Sequence, residues 1–454
     1  MRSSTAPPES GETTLVCHHA AGHQILLACP DSRPPAYEAA VGLSDAGLLG
    51  AFETSFYFGS QSRVIDRLVA TLPSRLKGRL SRRSHPEIPG SRVISHPEVD
   101  LALAAENRIK TASRRRKLSQ WRAEYFDRQL RRQVERDHPA AVFLFSDVGS
   151  GQTLPHCRKL GIPTIVSVVH GDPAEEQDLL KREADRSPEY FPLYLGDGDI
   201  DLTELEWLHQ RRQADRNLAT LLLVPSLHIA ERLQAQNIPE ERIRVIPYAA
   251  DVNRFRPRPH SQPRPGCQFV FAGGITQRKG ISYLLQAWRM IQRPGWSLHL
   301  VGALPRKLGP LQADLDQPGI VWRGRVAHSE MPALLSDSDV FVFPSLFEGS
   351  AVVTYEALAA GLPEVVTREA GSVVRDGREG LIVPAGDPGT LAEKMERLGT
   401  DIELRAEMAT AARKRGEEFN WLRYRQSVAE AVLSLVPSSC SANPFRESLA
   451  PRKG

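Results

Sequence analysis

Short, almost unbroken apolar runs of strand length occur in two successive series along the chain, and they constrain its fold more than any other feature. The first series is Ile25–Cys29, Ala141–Phe145, Thr164–Val169, Thr220–Val224 and Arg244–Pro247. The second is Gln268–Ala272, Ser297–Gly302, Ile320–Gly324, Val340–Pro344 and Glu364–Thr367. A strand with one wet face alternates polar and apolar residues, whereas a parallel strand covered on both faces reads as a continuous apolar run. Helical segments such as Gly151–Leu160 and Leu227–Gln236 separate the runs. Between the two series lies RFRPRPHSQPRPG (Arg254–Gly266), dense in proline and charge and without a helix or strand period. The reading is an α/β chain of two Rossmann-like, doubly wound domains facing across a cleft. The domains are expected at residues 25–257 and 267–420, joined by a linker at 258–266, with disordered tails at 1–24 and 437–454. A length of 454 residues fits two such cores better than one.

Two segments carry chemistry. In FAGGITQRKGISYLLQAW (Phe271–Trp288) a strand runs into Gly273 and Gly274, which permit a tight turn and close backbone approach. Arg278, Lys279 and Gly280 then precede a helix with Ile281, Leu284, Leu285 and Trp288 at helical spacing. Two cations at a helix N-terminus make an anion site, and a diphosphate fits it. In FPSLFEGSAVVTYEALAAGLP (Phe343–Pro363) a buried strand enters a loop with Glu348, Gly349 and Ser350. The helix that follows carries Glu356 about two turns in, on the same side as Glu348. Carboxylates accept bidentately from vicinal hydroxyls, and free amides at the helix start take phosphate. The plainer readings are a surface Arg-Lys pair and two solvated glutamates; spacing alone leaves both open.

Other classes are disfavoured. No G-x-G-x-x-G follows the first strand of either domain, against a nicotinamide oxidoreductase, and no Walker A spacing is present. Cys17, Cys29, Cys157, Cys267 and Cys440 are scattered, which suggests neither a disulfide framework nor a zinc site. Cys29 and Cys267 read as core residues. The strings Asp197-Gly198-Asp199 and Asp337-Ser338-Asp339 occur, but the second precedes a buried strand at its amino end, the wrong end for a site. No metal site is expected. The polar N-terminus and the lack of an apolar run of about 18 residues point to the cytoplasm. Net charge is +4, but positive residues crowd Ser74–His85 and Ser113–Arg136. The second stretch reads as a helix with Leu118, Trp121, Tyr125 and Leu130 as a partial apolar stripe. Residues 74–136 therefore fit either peripheral contact with an anionic membrane, at its inner face, or a solvated basic surface. No nucleic-acid-binding module is recognisable.

The E-x7-E segment FEGSAVVTYE, followed by EALAAGLP, resembles the signature of the retaining glycosyltransferases of the group 1 family (family 4), which have the GT-B fold. AGSVVRDGREGLIVPAGD (Ala370–Asp387), LLLVPSLHIAERL (Leu221–Leu233) and RVIPYAADVNRFRP (Arg244–Pro257) are similar to that family too. The resemblance is strong over Leu218–Trp421 and rests earlier on strand order and TIVSVVHGDP (Thr164–Pro173). It implies a nucleotide-sugar donor, a GDP- or UDP-sugar, whose diphosphate is held by Lys279 and Arg278. It places Glu356 on the ribose, and Glu348 near the transferred sugar with the Gly349 and Ser350 amides. It sets His170, which ends an apolar strand before Gly171 and Asp172, near the reacting centre. A structural histidine is the plainer alternative. The resemblance also implies a helix at 421–436 crossing back to the first domain, front-face retention and no cofactor or metal. The acceptor, whether carbohydrate, lipid-linked or a small molecule, is not implied.

The sequence departs from the family at three places. Gly274 stands where arginine is frequent, the loop PDSRPPAYEAA (Pro30–Ala40) lacks the usual glycines, and Glu364 puts a charge at the start of a strand. The rival from another class is a non-catalytic nucleotide-sugar-binding scaffold, which donor turnover distinguishes.

Overall fold

The computed structural model describes residues 24–31, 33–58, 83–190, 202–258, 266–304 and 311–436 of the chain. The tails at 1–23 and 437–454, the basic stretch up to residue 82, most of the linker and Asp197–Asp199 lie outside the described residues. The first sheet is built from β1 (Ile25–Ala28), β2 (Leu49–Thr54), β3 (Val93–Ser95), β4 (Ala141–Phe145), β5 (Thr164–Ser167), β6 (Leu221–Val224) and β7 (Ile243–Val245). Its order is β3-β2-β1-β4-β5-β6-β7, parallel throughout. The second sheet comprises β8 (Cys267–Ala272), β9 (Trp296–Val301), β10 (Ile320–Gly324), β11 (Val340–Phe343), β12 (Glu364–Thr367) and β13 (Gly380–Val383). Its order is β10-β9-β8-β11-β12-β13, also parallel. Each sheet reverses its strand order once, between β1 and β4 and between β8 and β11. The crevice outside the carboxyl ends of such a pair is where doubly wound sheets take their ligands.

Parallel strands need crossovers, and helices supply them. In the first domain these are α1 (Pro34–Asp45), α2 (Pro97–Glu106), α3 (Ala112–Asp137), α4 (Thr153–Leu160), α5 (Pro173–Arg186), α6 (Leu202–Leu218) and α7 (Leu227–Ala235). In the second they are α8 (Ile281–Ile291), α9 (Leu311–Leu315), α10 (Met331–Ser336), α11 (Val352–Ala359), α12 (Pro388–Thr400) and α13 (Ile402–Glu418), followed by α14 (Trp421–Leu433). Helix α14 packs on α1 of the first domain. The Tyr424 hydroxyl donates to Pro35 O at 3.2 Å, and Arg425 Nε bonds Glu38 at 2.6 Å. The approach is close enough that a Cβ on Gly42 would lie 2.7 Å from Arg425 O.

The structure corrects several sequence expectations. Strands β2, β3 and β13 are absent from the apolar-run reading. Strand β2 hides because Glu53, fully buried and bonded to His96 Nε2 at 2.7 Å, interrupts its run; β3 is three residues long and only half-buried. Residues Ala250–Pro257, counted with the first domain, pack on the second. Ala250 N bonds Phe419 O, Arg413 binds Val252 O and Phe255 O, and the Phe255 ring is buried within a proline- and arginine-rich stretch. The buried stripe of α3 runs through Phe126, Leu130 and Val134 rather than through Trp121, which is 46% exposed and stacks on Tyr125. Only the C-terminal half of α3 therefore covers the sheet.

Glu364, a charge opening a strand, is wholly buried. One carboxyl oxygen accepts from Ser372 Oγ at 3.0 Å and the other has no hydrogen-bond partner. Burial, with Glu379 adding to it, raises its pKa well above the ordinary glutamate value of 4.5. The folded chain thus keeps a proton that the unfolded chain releases above that value. Stability from this group is full at low pH and falls as pH rises from about 4.5 toward the folded pKa. Glu364→Gln, neutral at every pH, is expected to melt higher than wild type at pH 8, the gap closing toward pH 5 in thermal denaturation.

Candidate functional site

The second sheet's switch point is lined by two loops, which carry the second-domain candidates except Glu356, placed in the helix after the second loop. After β8 the chain passes Gly273 and Gly274 into a 3-10 turn, Gln277–Lys279, then Gly280 and α8. Gly280 is the glycine the turn requires: it has φ +71°, and a Cβ there would lie 2.0 Å from Pro344 O. Gly273 and Gly274 do not have left-handed backbone, and a Cβ on Gly274 would meet only Thr276 Cγ2 at 3.7 Å. The chain does turn tightly there, Thr276 N donating to Gly274 O at 2.9 Å, but without left-handed backbone; a Cβ on Gly273 would touch the Phe343 and Phe271 rings at 3.4 and 3.5 Å. Pro344–Ser350 is the partner loop. Leu346 N and Ser345 Oγ both donate to Arg278 O, at 2.9 and 3.1 Å, which locks the turn to the end of β11. The N-cap residues of α8 and α11, Gly280 and Ala351, make no side-chain cap; in α8 the Gln277 side chain takes Ser282 N instead, at 3.3 Å.

The turn presents its cations inward. Lys279 Nζ sits 4.9 Å from the centre of the Phe343 ring and pairs with Glu348 Oε1. Arg278 Nη1 reaches the same oxygen at 2.7 Å and Phe347 O at 3.2 Å. The Lys279 and Glu348 side chains are only 13% and 11% exposed. Burial, reinforced by Arg278, pulls the Lys279 pKa below the ordinary lysine value against the pull of Glu348. Glu356 stands in the second turn region of α11, nearer the helix start than the sequence reading placed it. It is buried and takes His328 Nε2 at 2.8 Å. The two glutamates thus face different partners: Glu348 the cationic turn, Glu356 a histidine from the loop after β10.

The first domain meets these loops with the segment after β5. His170 lies beyond the strand end, since β5 stops at Ser167. A Cβ on Gly349 would sit 2.0 Å from Val169 O and 3.6 Å from His170 Cα, and one on Gly171 would sit 2.4 Å from Phe347 Cζ. Ser226 Oγ, which also caps α7, donates to Gly349 O at 2.7 Å. His170, Glu348 and Gly349 are therefore brought together across the interdomain cleft. Ser350 turns away: its hydroxyl bonds Gly371 O at 2.8 Å and lies 3.0 Å from the Tyr355 hydroxyl.

Sequence reasoning missed the cations around His170. Arg33, from the glycine-free loop after β1, places Nη1 3.3 Å from His170 Nε2 and is held by Asp31 at 2.6 Å. Because a guanidinium only donates, Nε2 is the unprotonated ring nitrogen. Burial first, then Arg212, Arg33, Arg278 and Lys279, hold the His170 pKa well below the ordinary histidine value, so the ring is neutral near pH 7. Glu176 of α5 lies 3.4 Å from Arg278 Nε; burial raises its pKa although Arg278 opposes. The only signal for Arg33 was its position in the loop at the β1–β4 switch point. For Glu176 there was none. The site is thus a crevice in which Arg33, Arg212, Arg278 and Lys279, each paired with a carboxylate, surround a neutral histidine. Among the described residues, Asp339 of the D-x-D string is at the amino end of β11, where it accepts from Gln268 N at 2.7 Å.

Residues 266–401 match the family model described as "Glycosyl transferases group 1". The chain is 27% identical over 322 residues to the Escherichia coli (strain K12) protein WcaL, named for colanic acid biosynthesis as a glycosyltransferase, covering 67% of this chain and 73% of that one. Among solved structures it resembles sucrose-phosphate synthase from Thermosynechococcus elongatus, with TM-score 0.62 and 17% identity over 91% of this chain and 99% of that one. It also resembles Anabaena Alr3699/HepE in complex with UDP and glucose, with TM-score 0.57 and 14% identity over 91% of this chain and 100% of that one. The chain therefore has the GT-B fold of two Rossmann-like domains, and its second domain matches the group 1 glycosyl transferases.

Proposed function

We propose that the protein is a retaining, metal-independent glycosyltransferase that moves a hexosyl group from a GDP- or UDP-sugar to an acceptor. The observation that carries this reading is the turn holding Arg278 and Lys279 at the second sheet's switch point, directly opposite His170. The match of residues 266–401 to the group 1 model supports it, as does WcaL's name. In this reading Lys279 and Arg278 hold the donor diphosphate and stabilise the charge that develops on it as the glycosidic bond breaks. The uncapped amides of α11 add to that field. Glu348 and the Gly349 and Ser350 backbone face the sugar, Glu356 takes the ribose hydroxyls, and the backbone at Gly273 and Gly274 approaches the phosphates. His170, neutral, accepts or donates a hydrogen bond at the sugar without adding positive charge. Fixed cations do the work a metal does elsewhere, so no cofactor is needed. Attack comes from the face the diphosphate leaves, whose oxygen takes the acceptor's proton.

The acceptor is proposed to be a carbohydrate or lipid-linked sugar of polysaccharide assembly, in line with WcaL's name. Among the described residues no helix is long and apolar enough to cross a membrane. The N-terminal half of α3, basic and carrying exposed Trp121, supports peripheral docking at the cytoplasmic membrane face. A thermal-shift panel of UDP- and GDP-sugars with EDTA present tests donor class and metal independence together. One donor is expected to raise the melting temperature with EDTA as without it. Stabilisation that appears only with added Mg²⁺ or Mn²⁺ would refute the metal-free reading. The anomeric proton coupling of the product, by NMR, decides retention.

A further inference from the structure

Helix α5 starts at the His170 loop and ends against the donor turn of the other domain. Its N-cap is Asp172, whose Oδ1 takes Ala174 N at 2.8 Å and whose Oδ2 takes Arg216 at 2.5 Å, so the helix start is fixed to the first domain. Positions 176 and 183 lie about two turns apart on one face. Glu176 approaches Arg278 at 3.4 Å. Glu183, only 5% exposed, accepts on one oxygen, Oε2, from Gln277 Nε2 at 2.9 Å and from the Tyr283 hydroxyl at 2.6 Å. Arg186 then donates to the Tyr283 oxygen at 3.0 Å. Gln277 is the first residue of the turn that carries Arg278 and Lys279, and its own Oε1 accepts from Ser282 N in the first turn of α8 at 3.3 Å. Gln277 and Tyr283 are as buried as core residues. A carboxylate from the first domain is thus the hydrogen-bond partner of side chains on both sides of the cationic turn in the second.

We infer that Glu183 is a positioning residue: from the opposite domain, through Gln277 and Tyr283, it sets the turn that aims Lys279 and Arg278. The phosphate site is then complete only while the domains are closed, which couples donor capture to closure over the reacting centre. The inference rests on the proposed role of Arg278 and Lys279 in holding the diphosphate.

The test compares wild type, Glu183→Ala and Glu183→Gln, full-length, for donor KM, kcat and melting temperature. Both hydrogen bonds end on Oε2, so a glutamine oxygen in that place keeps them and gives up only the ion pair of Oε1 with the largely exposed Arg186 at 3.5 Å. Glu183→Ala is expected to raise the donor KM about tenfold or more and to lower kcat, as loss of hydrogen bonds to a charged group implies, with Glu183→Gln within a fewfold of wild type. If Glu183→Ala lowers only the melting temperature and leaves KM and kcat unchanged, or if glutamine is as impaired as alanine, positioning through these bonds is overturned. Should the alanine variant fail to fold, Tyr283→Phe removes the hydroxyl's bond to Glu183, and with it the one accepted from Arg186, without opening a cavity. It is expected to shift KM in the same direction by less, and an unchanged KM overturns the inference. A wild type that turns over no nucleotide-sugar would instead overturn the glycosyltransferase reading, a separate result.

Discussion

Lys279→Ala is expected to lower donor turnover by about 10²–10³-fold, the effect of removing one preorganised donor to a developing anion. The ammonium group is buried between the Phe343 ring and Glu348, where water screens it little. A charge in such a place exerts its field on the leaving diphosphate without first reorganising solvent. Arg278 keeps its contact with Glu348 in the variant, so the loop is expected to stay folded and the loss to fall on kcat more than on donor affinity. Lys279→Arg is not expected to rescue, because a planar guanidinium does not fit the slot a compact ammonium fills. The Lys279 pKa is also held below the usual lysine value, so deprotonation removes this charge at lower pH than for an exposed lysine. Wild-type turnover is accordingly expected to decline on the alkaline side, and steady-state kinetics against pH measure it.

Gly349→Ala is expected to reduce kcat/KM by about a hundredfold with little change in melting temperature. The added methyl would lie 2.0 Å from Val169 O, a backbone atom of the other domain, so one loop must retreat by more than an ångström. Misplacing reacting groups by about 1 Å costs on that order. Each sheet keeps its own core, since the contact lies between the domains. Comparing circular dichroism melts with kinetics separates this outcome from simple unfolding; a variant as active as wild type would show that the two loops do not need this closeness.

The cationic turn was legible because its information is local. A strand, a cation pair, a left-handed glycine and an amphipathic helix follow one another within Phe271–Trp288, and tertiary packing only had to leave them in place. The glycine roles were harder to read: Gly280 turns the chain with left-handed backbone, while Gly273 and Gly274 do not need it, and φ is not written in composition. Arg33, Arg212, Glu176 and Glu183 were invisible because each sits far along the chain from the residue it serves. Arg33 reaches His170 only because the β1 and β5 loops end at the same edge of one sheet. Glu183 reaches Gln277 only because the domains face each other. The missed strand β2 has a different cause. Glu53 is a buried carboxyl in β2, and a polar residue in a buried strand blurs the apolar run by which such strands are recognised; β12 was legible although it opens on the buried Glu364. The E-x7-E pair was read as one constellation, yet its members already have separate partners, Lys279 with Arg278 and His328, which gives each carboxylate its own task.

Release of nucleoside diphosphate tests the central claim most directly. The donor that stabilises the wild-type protein is incubated with it in EDTA, and free UDP or GDP is followed over time beside Lys279→Ala. Slow release by wild type, accelerated by a saccharide acceptor and absent in the variant, is the expected result. A donor that binds the wild-type protein tightly but is never cleaved, with or without acceptors, would contradict the account and leave a nucleotide-sugar-binding scaffold in its place.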